Sequence, residues 1–281
     1  MLEISYHKNY KIIYNHFQNV SYLLYQCGTE PPQDEVASGK HNLVLEVPHK
    51  GGVAITSTVQ IPPLELLGLR TEIKAYIGDP QYVSSPCLLH MMEQGDVEQV
   101  WENWNATLQA NSTAAFLERN PDAIIFGGPY DDKDGDRVIS DAGSQERTNV
   151  ATFDWIALYA ALYNKEGLSN KIRADMQADY DCSSENARLI SAQSRNLEEE
   201  APPVMLWANW FDGYNWSVAE CQTWDKTYYC EYAKHCNIDI ISRPDGLGWN
   251  NPDYGGNYWY LNDEEMLELG KNCTCKIELR L

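Results

Sequence analysis

Apolar positions are densest in residues 148–164, TNVATFDWIALYAALYN, where Asp154 is the single charged side chain between Val150 and Tyr163. Phe153, Ile156, Ala157 and Ala160 fall on one helical stripe, while Trp155, Leu158, Tyr159 and Leu162 cover most of the rest. A helix that is apolar nearly all round must be covered on more than one side. The run is also too short for a bilayer, which needs roughly 20 residues. It reads as one buried helix, a spine with a strand-and-helix lobe on each side of it in the chain.

Upstream, residues 10–15 (YKIIYN) and 21–26 (SYLLYQ) are β-rich runs around a polar break, the pattern of a hairpin. Residues 41–47 alternate as a strand, and 53–56 (VAIT) form a short buried one. A helix over 62–69 has Pro62 in its first turn and Gly68 at its end, and 73–77 return as a strand. Strand, helix, strand is the mark of a parallel sheet. Residues 87–105 give mixed signals. Residues 111–119 predict a helix capped by Ser112 or Thr113, and 123–126 (AIIF) predict a second buried strand.

Downstream of the spine, residues 168–194 predict an amphipathic helix and 196–203 (NLEEEAPP) a linker. Then come a strand at 204–208 (VMLWA), a loop at 209–216 and a helix at 224–236. They are followed by a strand at 238–241, a Gly/Asn/Trp-rich loop at 243–258, a helix at 263–270 and a strand at 275–279. Asn262 or Asp263 would cap the last helix, with Glu264 and Glu265 in its first turn. The expected fold class is α/β: two Rossmann-like lobes with parallel-rich sheets, joined by a long inter-lobe helix. The expected division is 1–147, inter-lobe helices at 148–198, and 199–281. A second lobe of three strands is short, so the natural chain is expected to extend further. The opening MLEISYHKNY lacks the apolar core of a signal peptide, as in a mature or truncated chain.

Charge narrows the function. Across 281 residues the formal net charge is −20, with a sequence pI near 4.6. That argues against nucleic acid, whose binding rests on cations at phosphates, and against anionic lipid surfaces. Nine Trp and eighteen Tyr stand against five Phe. Such amphipathic aromatics suit a pocket for a large, partly apolar ligand.

The eight cysteines, Cys27, Cys87, Cys182, Cys221, Cys230, Cys236, Cys273 and Cys275, show no C-x2-C pair, so disulfides are expected rather than zinc. N-x-S/T sequons at Asn19, Asn105, Asn111, Asn215 and Asn272 point to a secretory route and a secreted or cell-surface location. DDKDGD at 131–136 fails the EF-hand pattern, because its glycine is misplaced and no glutamate closes the loop. The six histidines make no H-x3-H pair, and neither a P-loop nor a G-x-S-x-G elbow occurs. No catalysis, cofactor or metal is therefore expected.

Ligands of open α/β sheets bind beyond the C-terminal ends of the strands. The residues following the expected strands are Ser57 and Thr58, then Tyr82, then Gly127, Gly128 and Tyr130. In the second half they are Trp210, Phe211, Tyr214 and Trp216, then Gly246, Gly248 and Trp249. Nearly every such loop sets an aromatic beside glycine or a small polar residue, the make-up of one ligand cleft.

One ordered series of segments carries a resemblance. It comprises YLLYQCG, VAITSTVQIPPLELLGL, the GDP–Y–SP loop, FLERNPDAIIF and VMLWANW, over roughly residues 10–279. This series resembles the periplasmic siderophore and cobalamin binding proteins of ABC importers, the class with a rigid helix between its lobes. The resemblance implies a periplasmic binding protein-like fold and a monomer that grips a large ligand between two lobes. Ser57, Thr58, Tyr82 and Tyr130 would serve from the first lobe, and Trp210, Phe211 and Trp249 from the second. Cobalamin suits an aromatic site. A ferric siderophore, with more charge, would favour arginine, for which Arg137 and Arg243 are the few candidates; haem is a further alternative. The sequons and cysteines suggest a eukaryotic member, so delivery to a membrane receptor or to an importer is open. The surface carboxylates with which bacterial members dock on a permease are not assignable here.

Overall fold

The computed structural model describes residues 1–132, 135, 137–194, 204–211, 215–221, 228–249 and 258–272. The chain divides into two compact units: Met1–Gln145 with Thr152–Ala174, and Glu146–Ala151 with Asp175–Leu281.

Unit 1 begins with β1 (Leu2–Tyr6), β2 (Tyr10–Asn15) and β3 (Val20–Gln26), an antiparallel meander. After the short helix α1 (Gln33–Ala37), β4 (Leu43–Val47) adds in parallel to β3. The hairpin expected at 10–26 is present with Tyr10 opposite Tyr25. A second sheet holds β5 (Val53–Ile55), β6 (Ile73–Tyr76), β7 (Glu98–Gln99), β8 (Ile124–Gly127) and β9 (Val138–Ser140). It is parallel throughout, in the order β7-β6-β5-β8-β9. The sequence pattern did not predict β1, β7 or β9, each lying along a sheet edge where the apolar signal is weak.

Helices α2 (Ile61–Leu66), α3 (Pro86–Gln94) and α4 (Ala106–Arg119) connect the parallel strands. The strands are apolar on both faces, as a parallel sheet covered on both sides requires. Val53, Ile55, Ile124 and Phe126 join the main core with Leu64 and Leu88. Ala54, Ala75 and Ile125 face the other way, against Phe116 and Leu117 of α4. Alanines on that face let α4 lie close, with Phe116 filling the gap. Helix α4 starts before the expected residue 111, because the Asn105 carboxamide oxygen accepts from Leu108 N–H at 3.1 Å and makes the better cap. Ser112, an expected cap, donates instead to Glu102.

The apolar stretch is two helices rather than one, α5 (Asn149–Asp154) and α6 (Ile156–Leu162), broken at the buried Trp155. Asp154 ends α5 and is paired with Arg173. Six of the residues of α6 are buried. They share one core with Ile13, Tyr22 and Leu24 of the first sheet and with Ile55, Phe126 and Ile139 of the second. The helix is thus covered on more than one side, as its composition requires, by two sheets of the same unit. The long helix is α7 (Glu166–Ser194, 29 residues), which begins in unit 1 and continues in unit 2 past Ala174.

Unit 2 pairs β10 (Val204–Met205) in parallel with β13 (Asp239–Ile240). Its antiparallel sheet has the order β11 (Ala208–Phe211), β12 (Asn215–Ala219), β14 (Tyr258–Leu261). Residues 209–211 and 215–216, expected as a loop, are therefore strand residues, with Trp210 opposite Trp216, while 212–214 lie outside the described residues. Helix α8 (Tyr228–His235) packs Cys230 and Ala233 on Ile240, and α9 (Asp263–Asn272) packs Leu269 with Trp259 and Leu261. Asn262 and Glu265 close the start of α9 reciprocally, each side chain accepting from the other's N–H at 2.9 Å. The expected linker at 196–203 and strand at 275–279 lie outside the described residues, as do Cys273 and Cys275.

One disulfide, Cys221–Cys230, is present among the described residues, with Cα atoms 5.5 Å apart. Cys27, Cys87, Cys182 and Cys236 are exposed free thiols, so the expectation of disulfides is met at one pair among the described residues.

Candidate functional site

The parallel sheet of unit 1 changes direction at β5, with β6 on one side and β8 on the other. This is the switch point at which the loops leaving the strand ends diverge and open a crevice. A cleft of about 980 Å³ lies there.

Its first wall is the turn after β5. The Gln60 side-chain oxygen accepts from the N–H groups of Thr56 (2.9 Å) and Ser57 (3.2 Å). Pro62 and Pro63 then start α2. The turn is fixed from within, which leaves Ser57 and Thr58 lining the cleft. The second wall follows β6. Asp79 caps a 3-10 turn over Pro80–Tyr82, accepting from Gln81 N–H at 3.0 Å and from the Gln81 carboxamide at 2.6 Å. Tyr82 then stands 59% exposed at the rim. Burial, and next the charge of Asp79, push the Tyr76 hydroxyl above its ordinary pKa.

The third wall is aromatic and small. Trp101 and Trp104 line the cleft beside one face of α4, on which Ala106, Gln109, Ala110 and Thr113 recur at helical spacing. Trp104 is 76% exposed, an unusual position for an indole. The fourth wall follows β8. Asp131 accepts from the Thr56 hydroxyl and from Gly128 N–H, both at 2.7 Å, and so ties the end of β8 to the end of β5. A side chain at Gly127 would press on Val138 and Asp131, at 3.1 and 3.3 Å, so glycine there makes room for the carboxylate.

Of the residues expected from the sequence, Ser57, Thr58 and Tyr82 come together in this cleft. Tyr130 is not among its lining residues. It is 81% exposed, donates to Gln145 at 3.0 Å and meets Phe17 edge to face. Trp210, Phe211 and Trp249 belong to unit 2. Trp210 is 55% exposed on β11, and Phe211 pairs through its backbone with Asn215. Trp249 is 37% exposed and bridges to Tyr260, with the two rings stacked at 6.0 Å. The sequence reading missed Trp101, Trp104, Asp79 and Asp131. The signal for the first two was the W-x-x-W of residues 101–104, inside a stretch of mixed periodicity.

Arg137 and Arg243, the arginines considered for an anionic ligand, bind main-chain carbonyls. Arg137 donates to those of Leu117, Asn120 and Pro121, and Arg243 to those of Leu247 and Gly248. Among the described residues no group of three or more His, Cys, Asp or Glu could hold a metal ion. No described helix is long and apolar enough to cross a membrane.

The fold so described is α/β, with a parallel sheet flanked by helices in unit 1. No protein-family model and no curated protein matches the chain. A periplasmic binding protein from Veillonella parvula is similar in structure, with TM-score 0.50 and 12% identity over 78% of this chain and 67% of that one. The periplasmic vitamin B12 binding protein BtuF of Vibrio cholerae aligns with TM-score 0.47 and 10% identity, over 78% of this chain and 72% of its own. At 12% identity the likeness to the Veillonella parvula protein is one of fold.

Proposed function

We propose that this protein is an extracellular or cell-surface binding protein that captures cobalamin (vitamin B12) for uptake, with the unit 1 cleft as a ligand-binding face. The observation that supports it is the make-up of the cleft. It offers about 980 Å³ at the switch point of a parallel sheet, with Trp101, Trp104, Tyr76 and Tyr82 beside small residues of α4. A corrinoid is a broad disc with apolar faces and an amide rim. Indoles and phenols supply flat apolar area with a polar tip, while Ser57 and Thr58 supply partners for amides. Trp210, Phe211 and Trp249 of unit 2 are proposed as further contacts.

A ferric siderophore or haem on the same scaffold is the weaker reading, since its anionic groups call for facing cations. Among its described lining residues the cleft has no Lys, Arg or His. A secretory route, with sugar at exposed Asn19, Asn105 and Asn111 and at Asn215 and Asn272, accords with the Cys221–Cys230 disulfide. Such a protein would be a cell-surface relative of the kind found in diatoms, acting as a monomer and handing its ligand to a membrane receptor or importer. Its role is capture, not catalysis.

Titration with cyanocobalamin tests the proposal. Tryptophan fluorescence should be quenched, because two indoles line the cleft. Neither quenching nor heat at micromolar ligand would overturn the cobalamin reading.

A further inference from the structure

We infer that Asp79 and Asp131 act as a charge filter, so that the cleft takes a flat ligand that is cationic or uncharged and rich in N–H donors, and rejects anionic chelates. This inference rests on the reading of the cleft as a ligand site. The two carboxylates follow β6 and β8, the strands that flank β5, and so reach the cleft from both sides of the switch point. Their hydrogen-bond donors among the described residues are all neutral: Gln81 for Asp79, and Thr56 with Gly128 for Asp131. An ionised carboxylate has about four acceptor sites, so each keeps capacity for a ligand donor.

Nothing on the described walls offsets this charge, since no Lys, Arg or His is among them. The chain as a whole carries −20. Apolar walls of low dielectric concentrate such a field inside a cleft rather than screening it. The indole faces act in the same sense, because the ring quadrupole attracts a cation and repels an anion. Trp104, 76% exposed, is the residue placed to use that effect. Carboxylates and aromatics therefore favour one ligand sign by separate routes.

Matched ligands isolate charge from shape. The first series is aquacobalamin (cationic), cyanocobalamin (neutral) and a cyanocobalamin monocarboxylic acid (anionic). The second is ferrioxamine B (cationic) with its N-acetyl (neutral) and N-succinyl (anionic) derivatives. Tryptophan quenching of the full chain, at low and high salt, reads the affinities. At low salt the affinity in the binding series should fall about threefold to tenfold per unit of charge from cation to anion, and salt should compress the series. Asp79→Asn with Asp131→Asn should compress it in the same way, because asparagine keeps a side-chain oxygen for Thr56 and Gly128. The salt arm needs no variant and decides the question even where the double variant fails to fold. Equal affinities across a series, or tightest binding of the anion, would overturn the charge filter while leaving the ligand site standing. Binding of the iron series alone would overturn the cobalamin reading, and its charge order would still decide the filter. Binding of neither series overturns the ligand site and the filter together.

Discussion

The indoles of Trp101 and Trp104 stand edge to face, with ring centroids 4.8 Å apart and planes at 86°, and the chain between them turns through left-handed backbone at Asn103 (φ 46°) and Trp104 (φ 65°). Asparagine visits that conformation readily, so the cost falls on Trp104, at about 1–2 kcal/mol, and an aromatic pair returns about 0.5–1.5 kcal/mol. The two nearly cancel, so the fold gains little from holding Trp104 outward. Strain of this kind collects at ligand clamps. Trp104→Gly should change stability by less than about 1 kcal/mol while weakening cyanocobalamin binding by more than about 1 kcal/mol, as loss of an aromatic anchor does. Thermal melts and fluorescence titration check both halves. A large loss of stability with binding intact would make Trp104 a structural residue.

Asp141 is a buried carboxylate that accepts from the Tyr159 hydroxyl and, at 2.7 Å, from Gly143 N–H. Burial raises its pKa, against the lowering effect of these two bonds. A folded-state pKa above the unfolded value means that the folded chain holds the proton more tightly. The stability this contributes is full below the unfolded pKa of about 3.9 and is lost as pH rises through the folded pKa. Asp141→Asn should therefore gain stability relative to wild type as pH rises from about 4 towards neutrality. A difference in melting temperature that stays constant with pH would contradict this. Tyr159→Phe should cost about 1–3 kcal/mol at neutral pH, by leaving a buried acceptor without its donor.

Lys11 of β2 donates to the Ala161 carbonyl at 2.8 Å, to the Asn164 side chain at 2.7 Å and to Glu166. It thus joins the first sheet to the end of α6 and the start of α7. Lys11→Met should destabilise unit 1 by about 1–3 kcal/mol, because a largely buried carboxylate and carbonyl lose their donor. Adding Glu166→Gln should recover part of that loss. A double variant no more stable than the single would show that the ion pair itself matters little.

The thiols offer a chemical check. Alkylation without reductant should label Cys27, Cys87, Cys182 and Cys236, and should spare Cys221 and Cys230. Reducing a bridge across a sequence separation of 9 should lower stability by about 2–3 kcal/mol on the loop-entropy model. Peptide mapping settles the first point, and melts with and without reductant the second. Labelling of Cys221 in the native protein would contradict the bridge.

Much of the fold was legible along the chain because its determinants are local. The hairpin at 10–26, the buried strands at 53–56 and 123–126, and the Asn262 cap of α9 each depend on residues a few positions apart. Ser57, Thr58 and Tyr82 followed from the rule that ligands meet strand ends. The pairing of β11 with β12 was hidden by reading their aromatics as loop residues, although the same residues favour strands.

By itself the sequence determined the α/β alternation of unit 1, the burial of residues 156–162 and a surplus of aromatics suited to a ligand site, since period and composition decide these. Only the tertiary structure decided the strand order, the side of the sheet at which the cleft opens, and that two sheets of one unit cover α6. Those features rest on contacts such as Thr56 with Asp131, 75 residues apart, and Lys11 with Ala161, 150 apart. No local pattern encodes such pairings. They follow from which faces can be buried together once the strands have formed, and they place Trp104 and Asp131 in the same cleft.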